Sequence, residues 1–303
     1  MEAVSQDVPR PRRSFWMTWG IPVALVLALA WAFLGTGFRP SELVAGIPQM
    51  GEMVAKSWPP AVDLLIDPQT YNMPEELTAA ELLLPLPLDA DKTEIRERWW
   101  TNSWPQTVLG GTVQTIQMAL AGTFLAAIFA FPLAFLAARN TAPNMATYHA
   151  AKSVVNFLRS VPDFAVGLIL ISAVGLGAFN GVMALTFATT MVLVKLFSEA
   201  IESIDHGVVE AIQATGASRV QVVSFGVVPQ VMPDFISFVI YRFEANIRSA
   251  TVLGLIGAGG IGLQMTTYFR LFDYQKAAVC VIVLIVLVMI TDYASAKLRK
   301  LVI

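Results

Sequence analysis

The chain has 303 residues, of which 56% are hydrophobic and only 14% charged, with a formal net charge of −2. At a mean hydropathy of +0.63 it is too apolar for a water-soluble globular protein and reads as an all-α, polytopic membrane protein. The near-neutral total gives no reason to expect a nucleic acid as partner; the surroundings are membrane lipid, and the placement of Lys and Arg carries the information.

Residues 1–14 are polar, carry Arg10, Arg12 and Arg13, and are expected on the cytoplasmic side. The uncharged run 15–34 reaches the roughly 20 apolar residues that cross a bilayer, so 15–37 is assigned to a first membrane helix. Two other readings stay open: a cleavable signal ending near Ala28-Leu29-Ala30, or a twin-arginine signal at Arg12-Arg13-Ser14-Phe15. A retained helix is preferred because a chain with further spans needs no separate export signal.

Residues 38–107 form the one long polar region, with eleven acids, five bases, scattered prolines and no sustained apolar period. They are expected outside the cytoplasm. Trp99, Trp100 and Trp104 at the end of this loop suit the headgroup level, where an indole keeps one edge wet, or burial against the next helix.

Residues 108–303 read as one helical core domain. A second span, 108–138, ends at Arg139-Asn140, and the loop 139–152 carries Arg139 and Lys152 without an acid. A third, 154–178, is interrupted near its start by Arg159-Ser160-Val161-Pro162-Asp163, where Arg159 can snorkel and Pro162 can bend the helix. The fourth, 181–201, carries Lys195 and Glu199 one turn apart.

The polar stretch 205–230 reads as helix, turn, helix. Asp205 can cap the first short helix, Gly216 can end it in the left-handed region, and Ser218 can cap the second. Pro229 is expected to close the stretch.

The fifth span, 231–256, contains Arg242, Glu244 and Arg248. If it begins near Val231, a rise of 1.5 Å per residue puts Glu244 and Arg248 roughly 20–25 Å in, near the bilayer centre. They stand four apart, Glu first, the better order for a helical pair. Arg242 lies on a different face and nearer the cytoplasm, where snorkelling can satisfy it.

Next comes Gly257-Ala258-Gly259-Gly260-Ile261-Gly262. It matches the dinucleotide fingerprint formally but follows a membrane helix instead of a strand, so that reading is rejected. The sixth span, 277–296, precedes Lys297, Arg299 and Lys300. Cys280, the single cysteine, lies in this apolar run; an internal disulfide is excluded and packing is its expected role. His149 and His206 stand apart, without neighbours at metal spacing. No metal or other cofactor is expected on this chain.

Counting spans puts the N-terminus, 139–152, 205–230 and the C-terminus on one side with the Arg and Lys clusters. The acidic loop 38–107 lies opposite, as the positive-inside rule requires.

The stretch 205–230 resembles the cytoplasmic EAA loop of ABC-type importer permeases, whose pattern is Glu-Ala-Ala, three residues, Gly, nine residues, Ile, one residue and Leu-Pro. Glu210, Ala211, Gly216, Val228 and Pro229 keep that spacing. Ile212 replaces the second Ala, Gly226 the usual Ile and Val228 the Leu, and Gly226 removes an apolar contact expected there. The wording of 115–123, 132–140 and 195–202 is similar to the phosphonate branch of these permeases. Thr251-Val252-Leu253-Gly254-Leu255 and the glycine run after it are typical of the same permeases. The resemblance covers about 105–300 and the first helix; 61–104 matches nothing in the family and is longer than usual there.

The resemblance implies a type I importer permease fold with about six transmembrane helices, in a bacterial inner membrane with both termini cytoplasmic. It implies a homodimer, each copy docked through 205–230 on an ABC ATPase subunit, and a solute-binding protein outside. The expected solute is a phosphonate, phosphite or phosphate ester. The chain holds no Gly-x-x-x-x-Gly-Lys-Ser/Thr loop, so ATP would be used by the partner subunit and this chain is not an enzyme. Glu244 and Arg248 form either a structural pair or a charge offered to a passing anion, and both readings stay open. Gly257, Gly259 and Gly260 would let backbones approach closely at the outer end of the pathway. A permease for another small solute, such as an amino acid or betaine, is the alternative. An ion-coupled secondary transporter is further away, since no pair of broken helices in matching halves is found.

Overall fold

A computed structural model describes residues 19–37, 39–84 and 86–302, and every regular element among them is helical. The segment 1–14 with Arg10, Arg12 and Arg13, and the first residues of the expected first span, lie outside the described residues. The chain divides into two compact units, the first ending at Ala55 and the second beginning at Lys56.

The first unit holds α1 (Ile21–Gly35) and α2 (Pro40–Lys56), bent by 49° at the break between them. A helix over α2 departs from the expected irregular loop, and the reason is physical. Pro40 occupies the first turn, where its missing N–H costs nothing. Leu43, Ile47, Met50 and Val54 then recur at helical spacing as one apolar stripe, which is exposed in this unit.

In the second unit residues 61–104, the segment expected outside, build a small core of their own. They carry α3 (Asp63–Ile66), α4 (Ala79–Leu83) and α5 (Ala90–Arg98), and a π turn over Trp99–Ser103 leads from α5 towards the first long helix. Trp99, Trp100 and Trp104 lie with ring centroids 5.3–5.4 Å apart. The Trp99 Nε1 donates to the Tyr71 carbonyl and the Trp100 Nε1 to the Leu82 carbonyl, both at 2.9 Å. Trp99 is 4% exposed and packs with Tyr71, Leu77 and Leu82. The indoles thus hold the outer segment together, a role beyond both readings of the sequence.

Thr78 caps α4 reciprocally with Glu81. Hydrogen bonds from Thr78, then Lys92, pull the Glu81 carboxyl down from 4.5 to about 2. A depressed carboxylate pKa favours the folded segment at neutral pH, and that contribution fades as the pH falls from about 4.5 towards 2.

The core rests on α6 (Val108–Ala137), α9 (Ala178–Glu202) and α12 (Val228–Leu255). Small residues let these helices close up, as membrane helices require. Ala126, Ala130 and Ala134 are fully buried along one face of α6. A Cβ on Gly122 would come within 2.8 Å of the Leu185 Cβ. Phe197 of α9 stacks on Phe235 of α12 at 3.8 Å between centroids.

Around them stand α7 (Met145–Arg159), α8 (Asp163–Val174), α13 (Gly260–Arg270) and α14 (Tyr274–Val302). Cys280 is fully buried on α14 among Leu64, Val108, Ile261 and Val279, which is the packing role expected of it. The long runs 108–138, 181–201, 231–256 and 277–296 become α6, α9, α12 and α14 with ends shifted by a few residues, α14 running on through the terminal basic cluster.

The third expected span differs. Arg159 ends α7, and α8 leaves at 82° after Pro162. The helix starting at Met145 also occupies much of the expected loop 139–152, with the Asn144 side chain accepting from the Thr147 N–H at 2.8 Å. The 12 residues of α8 reach only about 18 Å, short of a bilayer's hydrocarbon core. Among the described residues four helices are long and apolar enough to cross a membrane, or up to six if each bent pair is one span.

Candidate functional site

The stretch 205–230 folds as two short helices, α10 (His206–Ala214) and α11 (Arg219–Val222), and continues through a π turn, Val223–Val227, into α12. The Asp205 Oδ1 accepts from the Gly207 N–H at 2.8 Å. Gly216 takes φ +80°, left-handed as expected. Ser218 and Gln221 cap α11 reciprocally, the Ser218 N–H donating to Gln221 Oε1 at 2.8 Å.

Pro229 differs from expectation, because it opens α12 instead of closing the helical path. In the first turn of a helix its lack of an N–H breaks no bond.

Three hydrogen bonds fix this helical pair to the core. The Arg219 Nη2 donates to the Ala142 carbonyl at 2.7 Å. The Gln230 Nε2 donates to the Gly226 carbonyl at 2.6 Å, while Gln230 Oε1 accepts from the Asp205 N–H at 3.0 Å. Glu210, Ala211, Gly216 and Pro229 are exposed and Val228 is half-buried. A cavity of about 510 Å³ lies between the pair and the α6–α7 turn, with His206, Glu210, Gln213 and Arg219 on its wall. The arrangement is a capped, exposed knob of mixed polar and apolar side chains, with Val208, Val220 and Phe225 among the exposed ones, on a short lever into α12.

Two of the three departures from the EAA pattern, Ile212 and Gly226, face each other. Gly226 is buried, and a Cβ there would lie 3.2 Å from the Ile212 Cδ1. A large residue at 212 fills the space that a small one at 226 leaves, so the apolar contact is kept with the sizes exchanged. Gly226→Ile alone should therefore overpack the pair by about 1–3 kcal/mol, and adding Ile212→Ala should recover most of the loss. A thermal-melting double-mutant cycle on the purified protein reads this; additive losses would contradict it.

Glu244 and Arg248 do pair, Arg248 Nη2 to Glu244 Oε1 at 3.2 Å, but they are half of a larger arrangement. Arg248 Nη1 reaches Asp292 Oδ1 at 3.0 Å and Arg299 Nη1 reaches Glu244 Oε2 at 3.3 Å, both from α14. Two cations and two anions alternate, and the charge is consumed within the group. Glu244 lies beside Arg299, beyond the apolar run of α14, so the pair sits towards the α14 C-terminal end.

Arg242 does not snorkel. Its Nη2 donates to Thr189 Oγ1 at 3.3 Å and Asn246 Oδ1 at 3.2 Å, and its Nε is buried without a hydrogen-bond partner. Asn246 is fully buried; its Oδ1 accepts from Thr189 Oγ1 at 2.9 Å and its Nδ2 donates to Thr123 Oγ1 at 2.8 Å. This polar joint of α6, α9 and α12 was missed in the sequence. Its one local signal is an Asn four residues after an Arg within an apolar helix.

Gly257, Gly259 and Gly260 take φ of +103°, +88° and +70°, turning the chain from α12 into α13. The Gly260 N–H donates to Gln114 Oε1 at 2.7 Å and the Ile261 N–H to Thr115 Oγ1 at 3.0 Å, so α6 side chains cap α13. A Cβ on Gly259 would lie 2.7 Å from Gln114 Oε1. The run lets α6, α12 and α13 meet at one end of the core, about two turns along α12 from Arg248. Among the described residues no group of His, Cys, Asp or Glu could hold a metal ion.

The family model of the binding-protein-dependent transport system inner membrane component matches residues 130–302. The HtxC protein of Stutzerimonas stutzeri is 34% identical over 299 residues, 99% of this chain and 90% of that protein. The phosphite transport system permease protein PtxC of the same organism is 43% identical over 188 residues, 62% of this chain and 68% of that one. Among solved structures, the inward-facing MetNI methionine ABC transporter overlays with a TM-score of 0.57 at 19% identity. It covers 65% of this chain and 96% of its own, a likeness of fold.

Proposed function

The chain belongs to the family of binding-protein-dependent transport system inner membrane components, and from that premise we propose that it is the permease subunit of an ATP-driven importer of phosphonate, phosphite or a related phosphorus oxyanion. The identity to a phosphite permease over most of the core supports the solute class. The chain is a membrane-embedded transport component and not an enzyme.

In this reading two copies form the pathway, and residues 205–230 of each dock on one cytoplasmic ATPase subunit. Glu210, Ala211 and Gly216 supply the contact, and Val228 and Pro229 pass its movement into α12. Both termini face the cytoplasm of a bacterial inner membrane, and 38–107 face outward, where a solute-binding protein delivers its cargo. ATP is bound and hydrolysed by the partner, and closure of the two ATPases draws the coupling segments together to alternate access. The capped, outward-facing knob at α10 and α11 is the observation that supports this division of labour.

The solute is tested by reconstituting the chain with the ATPase and binding protein encoded beside it. Phosphite, a phosphonate, phosphate, methionine and betaine are then compared as stimulants of ATP hydrolysis. A phosphorus oxyanion should stimulate most strongly; stimulation by methionine or betaine alone would contradict the solute class.

A further inference from the structure

Anion passage through an apolar core needs a positive charge that its surroundings leave free. Arg248 does not qualify, since Glu244 and Asp292 both hold its guanidinium. Arg242 is different: its partners, Thr189 and Asn246, are neutral, and its Nε is buried and unpartnered. Among the described residues no carboxylate ion-pairs with it; Asp163 acts on it at longer range.

At about 100° per residue along a helix, Arg242, Asn246 and Ser249 share one face of α12, whereas Glu244 and Arg248 turn towards α14. Ser249 Oγ donates to Asp163 Oδ2 at 3.0 Å, and both line a cavity of about 330 Å³ between α8 and α12; Arg248, its charge held by Glu244 and Asp292, lines it as well. A cation held by neutral groups thus stands on the same helical face as the wall of a cavity two turns further on.

We propose that Arg242, and not Arg248, is the residue that meets the anionic solute on its way through, and that Thr189 and Asn246 position it. The proposal rests on the phosphorus-oxyanion reading above. A phosphorus oxyanion presents several acceptor oxygens to a guanidinium whose hydrogen-bonding capacity is incompletely used. Asp163, kept to longer range and engaged by Ser249, opposes prolonged capture, so the anion binds weakly enough to leave. The Glu244–Arg248–Asp292–Arg299 group acts as a clamp between α12 and α14.

The test uses the complete complex in vesicles and measures phosphite uptake for the parent, Arg242→Gln, Arg242→Lys and Asn246→Asp. Asn246→Asp keeps the side-chain shape and sets a carboxylate against the guanidinium, consuming its charge; the donor lost towards Thr123 is replaced when the Thr123 hydroxyl turns its O–H from the Ala119 carbonyl to the new carboxylate, which keeps the joint closed. Arg242→Gln and Asn246→Asp should insert and co-purify with the ATPase as the parent does while uptake falls more than about tenfold. Arg242→Lys should retain part of it. A role confined to holding helices together predicts instead that Asn246→Asp, with its shape kept, transports normally. Normal uptake by either Asn246→Asp or Arg242→Gln overturns the assignment. A parent complex that imports no phosphorus oxyanion overturns the solute reading and this assignment with it.

Discussion

Replacing Gly216 by Val is expected to leave a protein that inserts and assembles but no longer transports. Gly216 holds φ +80° between α10 and α11, and nothing lies within 4 Å of where a Cβ would stand. The substitution therefore meets no clash, and its cost is backbone strain alone, about 1–2 kcal/mol for an L-residue in the left-handed region. The chain relieves that strain by leaving the region, which swings α10 away from α11. The core is untouched, because the anchors through Arg219 and Gln230 lie outside the turn. Uptake should fall to background, and ATP hydrolysis should stop responding to the loaded binding protein. Transport at the parent's rate would remove the coupling role from this segment.

The second large effect is expected from Glu244→Gln, and it falls on stability. Glu244 is 12% exposed and stands between Arg248 and Arg299. Removing its charge leaves two guanidinium groups, of which Asp292 reaches only Arg248, and Arg299 loses its acidic partner. Breaking a buried ion pair from one end costs about 3–5 kcal/mol; the lower figure applies because Arg248 is 47% exposed and partly screened. Glu244→Gln with Arg248→Gln leaves Asp292 and Arg299 in balance, and should recover most of the loss. Thermal unfolding in detergent separates the cases: a double variant as unstable as the single one would contradict the alternating arrangement.

The long helices α6, α9, α12 and α14 are legible because their runs are long and predominantly apolar, with few charges in α9 and α12. The caps at Asp205 and Ser218 and the left-handed Gly216 are legible for the same local reason. The bend after Arg159 shows in Pro162, but its size of 82° does not, since the angle is set by what α8 packs against. The Trp cluster is legible only as a choice between a membrane interface and burial, because the Tyr71 and Leu82 carbonyls that receive the indoles lie 28 and 18 residues away. The joint at Asn246 is the least legible, its partners Thr189 and Thr123 being 57 and 123 residues distant. Which charges of α12 are neutralised is likewise decided by Asp292 and Arg299 on another helix.

If this chain forms a pathway worked by a separate ATPase, uptake of labelled phosphite into vesicles reveals it. Vesicles holding the chain alone are compared with vesicles holding the chain and its ATPase, with the binding protein supplied on the face opposite the ATPase. The account predicts uptake only with the ATPase, ATP on its side and the loaded binding protein, and no effect of collapsing ion gradients. Uptake by the chain alone, driven by a proton or sodium gradient, would contradict it.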